Sequence, residues 1–424
     1  MRLRQVARAS ATVFGGNLLA SASNFTLALV VARAYGPEGR GELAVFVLVP
    51  MLASTVLGFG LPTAHAYWGA KHPDRVGTFA WNSVLTAGTV GVVLAVVGAS
   101  VGERLPVIGG VERPALVLVA IPLQLVTILL GELLPVERRY RSYAAVRAGS
   151  GLLPLVLVVA AFLALPGRPA LGDVEALIFL GWLGAAAASL LLNARSLATG
   201  RPSLREHIVA LRYAVLVGPA LVLQMVNYRL DQVVLAALLP RETLGLYAAS
   251  VSITEGLFLP AASMATVLLP EIARRPEPAS RALVHRSLAL AVAGTAAAGL
   301  LVFATAPVLL RLLYGEEFVA GAQVLRVLAL TIPVVAFTKI AGAGLAGTHR
   351  QAQHLRAVAA AAVVTVVAVP SLVTAIGAVG AALASLGAYL TSALVQWIGW
   401  RSPARSVGDR PEAAPDPMTR VAGT

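Results

Sequence analysis

Apolar residues fall in twelve long runs, near 11–32, 42–66, 79–100, 114–134, 144–165, 174–193, 210–239, 244–270, 286–308, 322–347, 356–376 and 378–400. Each is close to the roughly 20 apolar residues that an α-helix needs to cross a bilayer. Basic residues are divided unequally among the gaps. The N-terminus, the even-numbered gaps and the tail hold 23, with Arg138, Arg139, Arg141 and Arg147 in the fourth gap and Arg195, Arg201, Arg205 and Arg212 in the sixth. The odd-numbered gaps hold 7: Arg33, Arg40, Arg104, Arg113, Arg168, Arg241 and Arg311. A wrong number of crossings would scramble that alternation. By the positive-inside rule both termini are expected in the cytoplasm. The pattern predicts an all-α polytopic protein of the cytoplasmic membrane with about twelve transmembrane helices. Arg2, Arg4 and Arg8 precede the first run as in a signal peptide, but the run is long and further spans follow, so an uncleaved first helix is expected.

Composition agrees, with 58% hydrophobic and 12% charged residues, and it excludes a soluble globule. The net charge of +13 sits in short gaps, where orientation and anionic lipid headgroups account for it and nucleic acid need not be invoked. The absence of cysteine excludes disulfides and thiolate metal sites. His65, His72, His207, His285, His349 and His354 fall in or beside predicted cytoplasmic segments without the i, i+4 spacing of a helical metal site, so solvated loop histidines are expected and no metal or cofactor. No phosphate-loop motif supports an ATP-driven pump. The odd-numbered gaps are short, the longest spanning 101–113. Glu103, Glu112, Asp173 and Glu175 there lie in loops too short to enclose a sugar, which argues against an enzyme such as a membrane transferase. The tail 401–424, with four prolines and mixed charge, is expected to be disordered.

The gap near 194–209 divides the spans six and six, giving an N-terminal bundle over 1–200 and a C-terminal bundle over 201–400. The halves echo one another. With Pro37 aligned on Pro240, Asn24 falls on Asn227 and Ser21 on Gln224. Asn17, Ser21 and Asn24 share one helical face, and so do Gln224, Asn227 or Tyr228, and Asp231. Six spans per half make the repeats parallel, related by a pseudo-two-fold axis along the membrane normal. Such repeats imply alternating access about a central cavity. The polar stripes are read either as walls of that cavity or as helix-packing contacts.

Ionisable residues within spans cost several kcal/mol unless they face a partner or water. Arg229 of the seventh span and Glu255 of the eighth both lie roughly 15 Å deep, near the midplane. They are expected to meet across the short hairpin, with Asp231, about 200° around the helix from Arg229, turned into the polar stripe. An ion pair that merely holds two helices together is the alternative. Lys339, beside Pro333 and the glycines 342, 344 and 347, is a candidate for binding an anionic headgroup. Arg326 can snorkel to the interface. Gln124 is a weaker cavity candidate, and Glu132 is expected beside Arg138 and Arg139.

The stretch 227–273 resembles the middle of polysaccharide and O-antigen flippases of the multidrug/oligosaccharidyl-lipid/polysaccharide exporter superfamily. Asp231, Gly245, Tyr247 and Pro270 match the family's Asp, G-x-Y and closing Pro, with Ala248 directly after the Tyr; Ala32, Arg33, Gly36 and Pro37 match its A-R-x-x-G-P turn; Gly60, Leu61 and Ala64 match G-L-x-x-A. The chain departs from the family at Gly41-Glu42-Leu43, where relatives often carry G-x-Y. The resemblance implies translocation of an undecaprenyl-diphosphate-linked oligosaccharide. Arg229 and Lys339 would hold the diphosphate, and Asn17, Asn24, Gln224 and Asn227 the sugar. Asp231 and Glu255 would couple transport to protons or sodium. Glycosyltransferases or a polymerase of the same pathway are the implied partners. The rival functions are a multidrug/cation antiporter of the same superfamily, a peptidoglycan-precursor flippase and a non-transporting partner of a glycan synthase.

Overall fold

A computed structural model describes residues 3–101, 111–273, 277–348 and 350–401, all helices, short connections and no strand. Arg274, Arg275, His349, Glu103, Arg104 and the tail beyond Arg401 lie outside the described residues. The helices are α1 (Leu3–Gly58), α2 (Leu61–Lys71), α3 (Val76–Val101), α4 (Pro114–Gly131), α5 (Leu133–Val136), α6 (Tyr140–Ala164), α7 (Leu171–Leu192), α8 (Ala194–Thr199), α9 (Leu204–Leu238), α10 (Arg241–Ala273), α11 (Glu277–Tyr314), α12 (Ala322–Gly347) and α13 (Gln351–Arg401). Ten helical stretches are long and apolar enough to cross a bilayer. Two of them carry two crossings each. The chain turns inside α1 at Gly36, with φ 68°, and inside α13 at Gly377, with φ 64°. Only glycine takes that conformation without strain. Twelve crossings result, and the all-α, two-lobed fold is the one expected.

The first six crossings pack α1 on α6, α6 on α7, α7 on α4 and α4 on α3; the last six pack α11 on α12, α12 on α10 and α13, and α13 on α9. The halves meet at both ends. At the arginine-poor end the second segment of α1 crosses α10. A methyl group added at Gly41 would overlap the Arg241 carbonyl, and one added at Gly245 would overlap the Pro37 carbonyl. Each carbonyl lies four residues before the other helix's glycine, so the contact is reciprocal about a local two-fold. Absence of side chains is what lets the two backbones touch.

At the arginine-rich end α9 lies against α2 and α3. Ser203 Oγ accepts from Glu206 N (3.4 Å) at the start of α9, a common way of satisfying a first-turn amide. The Glu206 carboxylate pairs with Arg75 Nη1. Asn82 donates to the Ser203 carbonyl (3.1 Å) and accepts from its amide (3.2 Å). Tyr67 and Tyr213 stack at 4.4 Å.

Three histidines contradict the solvated reading: His207 on α9 and His354 on α13 are half-buried, His354 Nδ1 lying 3.4 Å from Gln396 Nε2, and His65 is enclosed completely. His65, on α2, is fully buried, with Nδ1 3.0 Å from Ser83 Oγ and its ring against Phe79 and near His207. The chain turns at Phe59 and Gly60, with φ 34° and 79°, and the short helix α2 that follows packs the ring against α3 instead of releasing it into a loop. Burial, and secondarily His207, push its pKa down from 6.5 to about 3. The unfolded imidazole therefore binds a proton well before the folded one does. Its contribution to stability is complete above pH 6.5 and is lost as pH falls from 6.5 toward 3. Between pH 7 and 5 this histidine should account for about 2 kcal/mol of stability loss, read as the difference between wild type and His65→Gln in denaturant unfolding in micelles. His65→Gln should flatten that loss; an equal loss in both chains would assign the acid sensitivity elsewhere.

Candidate functional site

Between the halves lies a cavity of about 940 Å³. Both segments of α1, together with α9, α10 and α11, form its walls, and Lys339 of α12 and Tyr389 of α13 reach into it. The walls are mostly apolar, which isolates four charges. Arg229 Nη1 is 2.8 Å from Glu255 Oε1. Lys339 Nζ donates to Tyr228 Oη at 2.5 Å and lies 4.8 Å from that ring's centre. Arg40, only 7% exposed, donates through Nη2 to the Ala248 carbonyl (3.2 Å) and Ser252 Oγ (3.0 Å), and its Nε has no partner. Three cations and one carboxylate make the described lining positive by two charges.

Helix periodicity decides which side chains reach this space. On α9, Tyr228, Arg229 and Gln232 line the cavity, whereas Asn227 and Asp231 lie on the face covered by α13. Asn227 Nδ2 donates to the Val358 carbonyl (3.0 Å) and its Oδ1 accepts from Thr365 (3.0 Å). Asp231 Oδ2 accepts from Tyr247 Oη (2.5 Å) and Ser385 Oγ (3.2 Å), and Oδ1 accepts from Gln232 N (2.7 Å). Gln224 contacts Tyr228 Oη at 3.4 Å. On α1, Ser21 and Asn24 line the cavity, but Asn17 accepts from Arg147 Nε of α6 (3.1 Å). The two polar stripes therefore do not face one shared space. Each is divided between the cavity and the neighbouring helix of its own half.

Three other placements differ from expectation. Glu132 accepts from Tyr143 Oη (3.2 Å), while Arg139 pairs with Glu137 (3.3 Å) and the Leu192 carbonyl. Gln124 of α4 does not line the cavity. Arg40, assigned by the sequence to a gap, is the cation that sequence reasoning missed. The signal was present: Gly36-Pro37 ends the first span, so Arg40 already lies on the second, in register with Leu43, Ala44, Val47 and Met51 of the cavity wall.

No protein-family model matches the chain, and no curated protein matches it either. Solved structures do. A lipid II flippase, MurJ, in an inward closed conformation matches with TM-score 0.74 at 12% identity, over 91% of this chain and 87% of that one. An inward-facing multidrug resistance MATE family transporter of the MOP superfamily matches with TM-score 0.69 at 14% identity, over 90% and 93%. A MOP superfamily transporter from Pyrococcus furiosus, described by the reverse polarity of its binding pocket, matches with TM-score 0.63 at 15% identity, over 93% and 94%. The chain has the polytopic fold of MOP superfamily transporters.

The Arg229–Glu255 pair generates a stability prediction. Removing one member leaves the other charge at membrane depth without its partner, and removing both does not. Arg229→Ala and Glu255→Ala should each destabilise the protein, and the double variant should fall short of their sum by about 1–2 kcal/mol. Additive losses in thermal unfolding in detergent would mean that the two charges are independently solvated by the cavity.

Proposed function

We propose that the protein is a flippase that carries an undecaprenyl-diphosphate-linked oligosaccharide across the cytoplasmic membrane by alternating access. In this reading the halves 1–200 and 201–400 rock about the cavity. The observation that carries it is the charge of that cavity. A lining positive by two charges, inside apolar walls, attracts a compact polyanion and repels an amphipathic cation, which disfavours drug extrusion. Arg229, Lys339 and Arg40 are the proposed diphosphate ligands. Asn24, Ser21 and Gln232 offer hydrogen bonds to sugar hydroxyls. Asn17, Gln224 and Asn227 act instead in holding their own helices.

The polyprenyl chain stays in lipid while the head group crosses, so the protein shields only the polar part. Binding must also remain modest, because a carrier that grips one state tightly cannot release its load. Glu255, on the cavity wall, and Asp231, behind it, are the proposed coupling carboxylates. Protonation or cation binding at Glu255 would free Arg229 for the load. The 23 basic residues of the arginine-rich side support a cytoplasmic placement of that side and contact with anionic lipids, with glycosyltransferases or a polymerase as the proposed neighbours. The Gly41–Gly245 contact then closes the outer face. Fold likeness to a lipid II flippase supports the class and leaves the glycan open.

Reconstituted protein should flip a short lipid-diphosphate oligosaccharide, read as its loss to an impermeant glycosidase at the opposite face. Lys339→Ala and Arg229→Ala should each slow flipping at least tenfold, the loss expected when a charge-assisted contact worth about 1.4 kcal/mol or more is removed. Folded wild type that flips none, yet lowers the uptake of organic cations into cells, would overturn the proposal in favour of drug extrusion.

A further inference from the structure

Glycine and arginine contacts join the halves at the arginine-poor end, beside an apolar cluster that α1 and α10 share. Gly41 and Gly245 bring the α1 and α10 backbones together. Arg33 donates through Nε to the Leu313 carbonyl (2.7 Å) and through Nη2 to the Leu312 carbonyl, at the end of α11. Arg40 donates to the Ala248 carbonyl and Ser252 Oγ of α10. Of Gly41, Gly245, Arg33 and Arg40, Arg40 also lines the cavity, and so do its partners Ala248 and Ser252. Arg40 therefore belongs both to the seal and to the space that the load enters.

Its partners make it displaceable. A buried guanidinium is best satisfied by an anion, bidentately. Arg40 has a neutral carbonyl and a neutral hydroxyl, with Nε unpartnered. The carboxylate of the cavity, Glu255, is engaged by Arg229. A diphosphate in the cavity offers a stronger set of acceptors than Ala248 and Ser252 do. Both of those lie on α10, across the junction of the halves, so taking Arg40 from them removes a bond that holds the junction shut. The adjacent residue is Gly41, whose backbone contact depends on the same closeness of α1 and α10.

We infer that Arg40 is a load-sensitive latch on the outer face. It ties α1 to α10 while the cavity is empty and lets go when an anionic diphosphate takes its guanidinium. The inference rests on the reading of the cavity as a diphosphate site. A ligand shifts a conformational equilibrium only through a difference in its affinity for the two states. Arg40 supplies that difference. Its donors are occupied by α10 when the outer face is closed and are available to the load when the face opens. An empty carrier stays shut, and a loaded one opens.

The chain has no cysteine, so Ala44→Cys, on the cavity wall beside the seal, gives a single reporter. Its labelling by an impermeant maleimide added outside right-side-out vesicles measures outer opening. Farnesyl diphosphate is the probe, and its binding is followed separately by tryptophan fluorescence. Labelling should be slow without the probe and about tenfold faster with it, the shift that one hydrogen bond to a charged group can command. Arg40→Gln should label fast without the probe and gain nothing from it. Ser252→Ala, which keeps the cation and removes one acceptor, should label faster than the parent and still respond; it decides the matter if Arg40→Gln does not fold. Gly245→Ala sets the rate of a forced-open face. Binding of the probe with unchanged labelling of the parent overturns the latch alone, as does Ser252→Ala or Arg40→Gln that labels as slowly as the parent. Failure of the probe to bind overturns the diphosphate reading of the cavity and the latch with it.

Discussion

A charge held at membrane depth must find a partner or water, and that constraint organises the interior of this protein. Hydrocarbon obliges the backbone to be helical, which leaves side chains as the one means of bringing polarity inside. The chain has few such groups, and they gather. Arg40, Arg229, Glu255 and Lys339 converge on one cavity from four helices. Asp231 is closed into a separate polar cluster by Tyr247 and Ser385. The first group faces a space large enough for a ligand head group; the second joins α9, α10 and α13 into one half.

The same geometry gives physical content to the motifs that carry the family resemblance. Gly245 and Tyr247 of the G-x-Y pattern are two residues apart and act in different directions. The glycine permits the backbone contact with Gly41, and the tyrosine hydroxyl binds Asp231. Arg33 and Gly36 of the A-R-x-x-G-P pattern divide the labour similarly, the arginine bonding to the end of α11 and the glycine turning the chain. These motifs shape and close one end of the molecule. The cavity cations lie outside them, which explains how a shared fold can carry pockets of different polarity.

Both ends of the junction are closed, by different means. At the arginine-poor end two close-packed glycines and two arginines bonded to neutral acceptors sit beside an apolar cluster shared by Leu43, Ala44 and Phe46 of α1 and Leu244, Tyr247 and Ala248 of α10. At the other end it consists of stacked tyrosines, the Arg75–Glu206 pair and the Asn82–Ser203 exchange.

Hydropathy and the alternation of arginine by themselves determined the helix count, because transfer of some 20 residues into hydrocarbon depends on composition before any contact is made. Depth was legible as well: residue counting put Arg229 and Glu255 at one level because a helix rises a constant 1.5 Å per residue. The direction each polar residue faces was not. Asn24 and Asn227 occupy equivalent sequence positions, yet one faces the cavity and the other α13. Arg40 stood beside a turn and was counted with the loops, although the turn ends at Pro37 and the helix beyond it carries the arginine inward. A periodic sequence states which residues share a face, but only the packing of neighbouring helices decides whether that face meets lipid, another helix or a cavity.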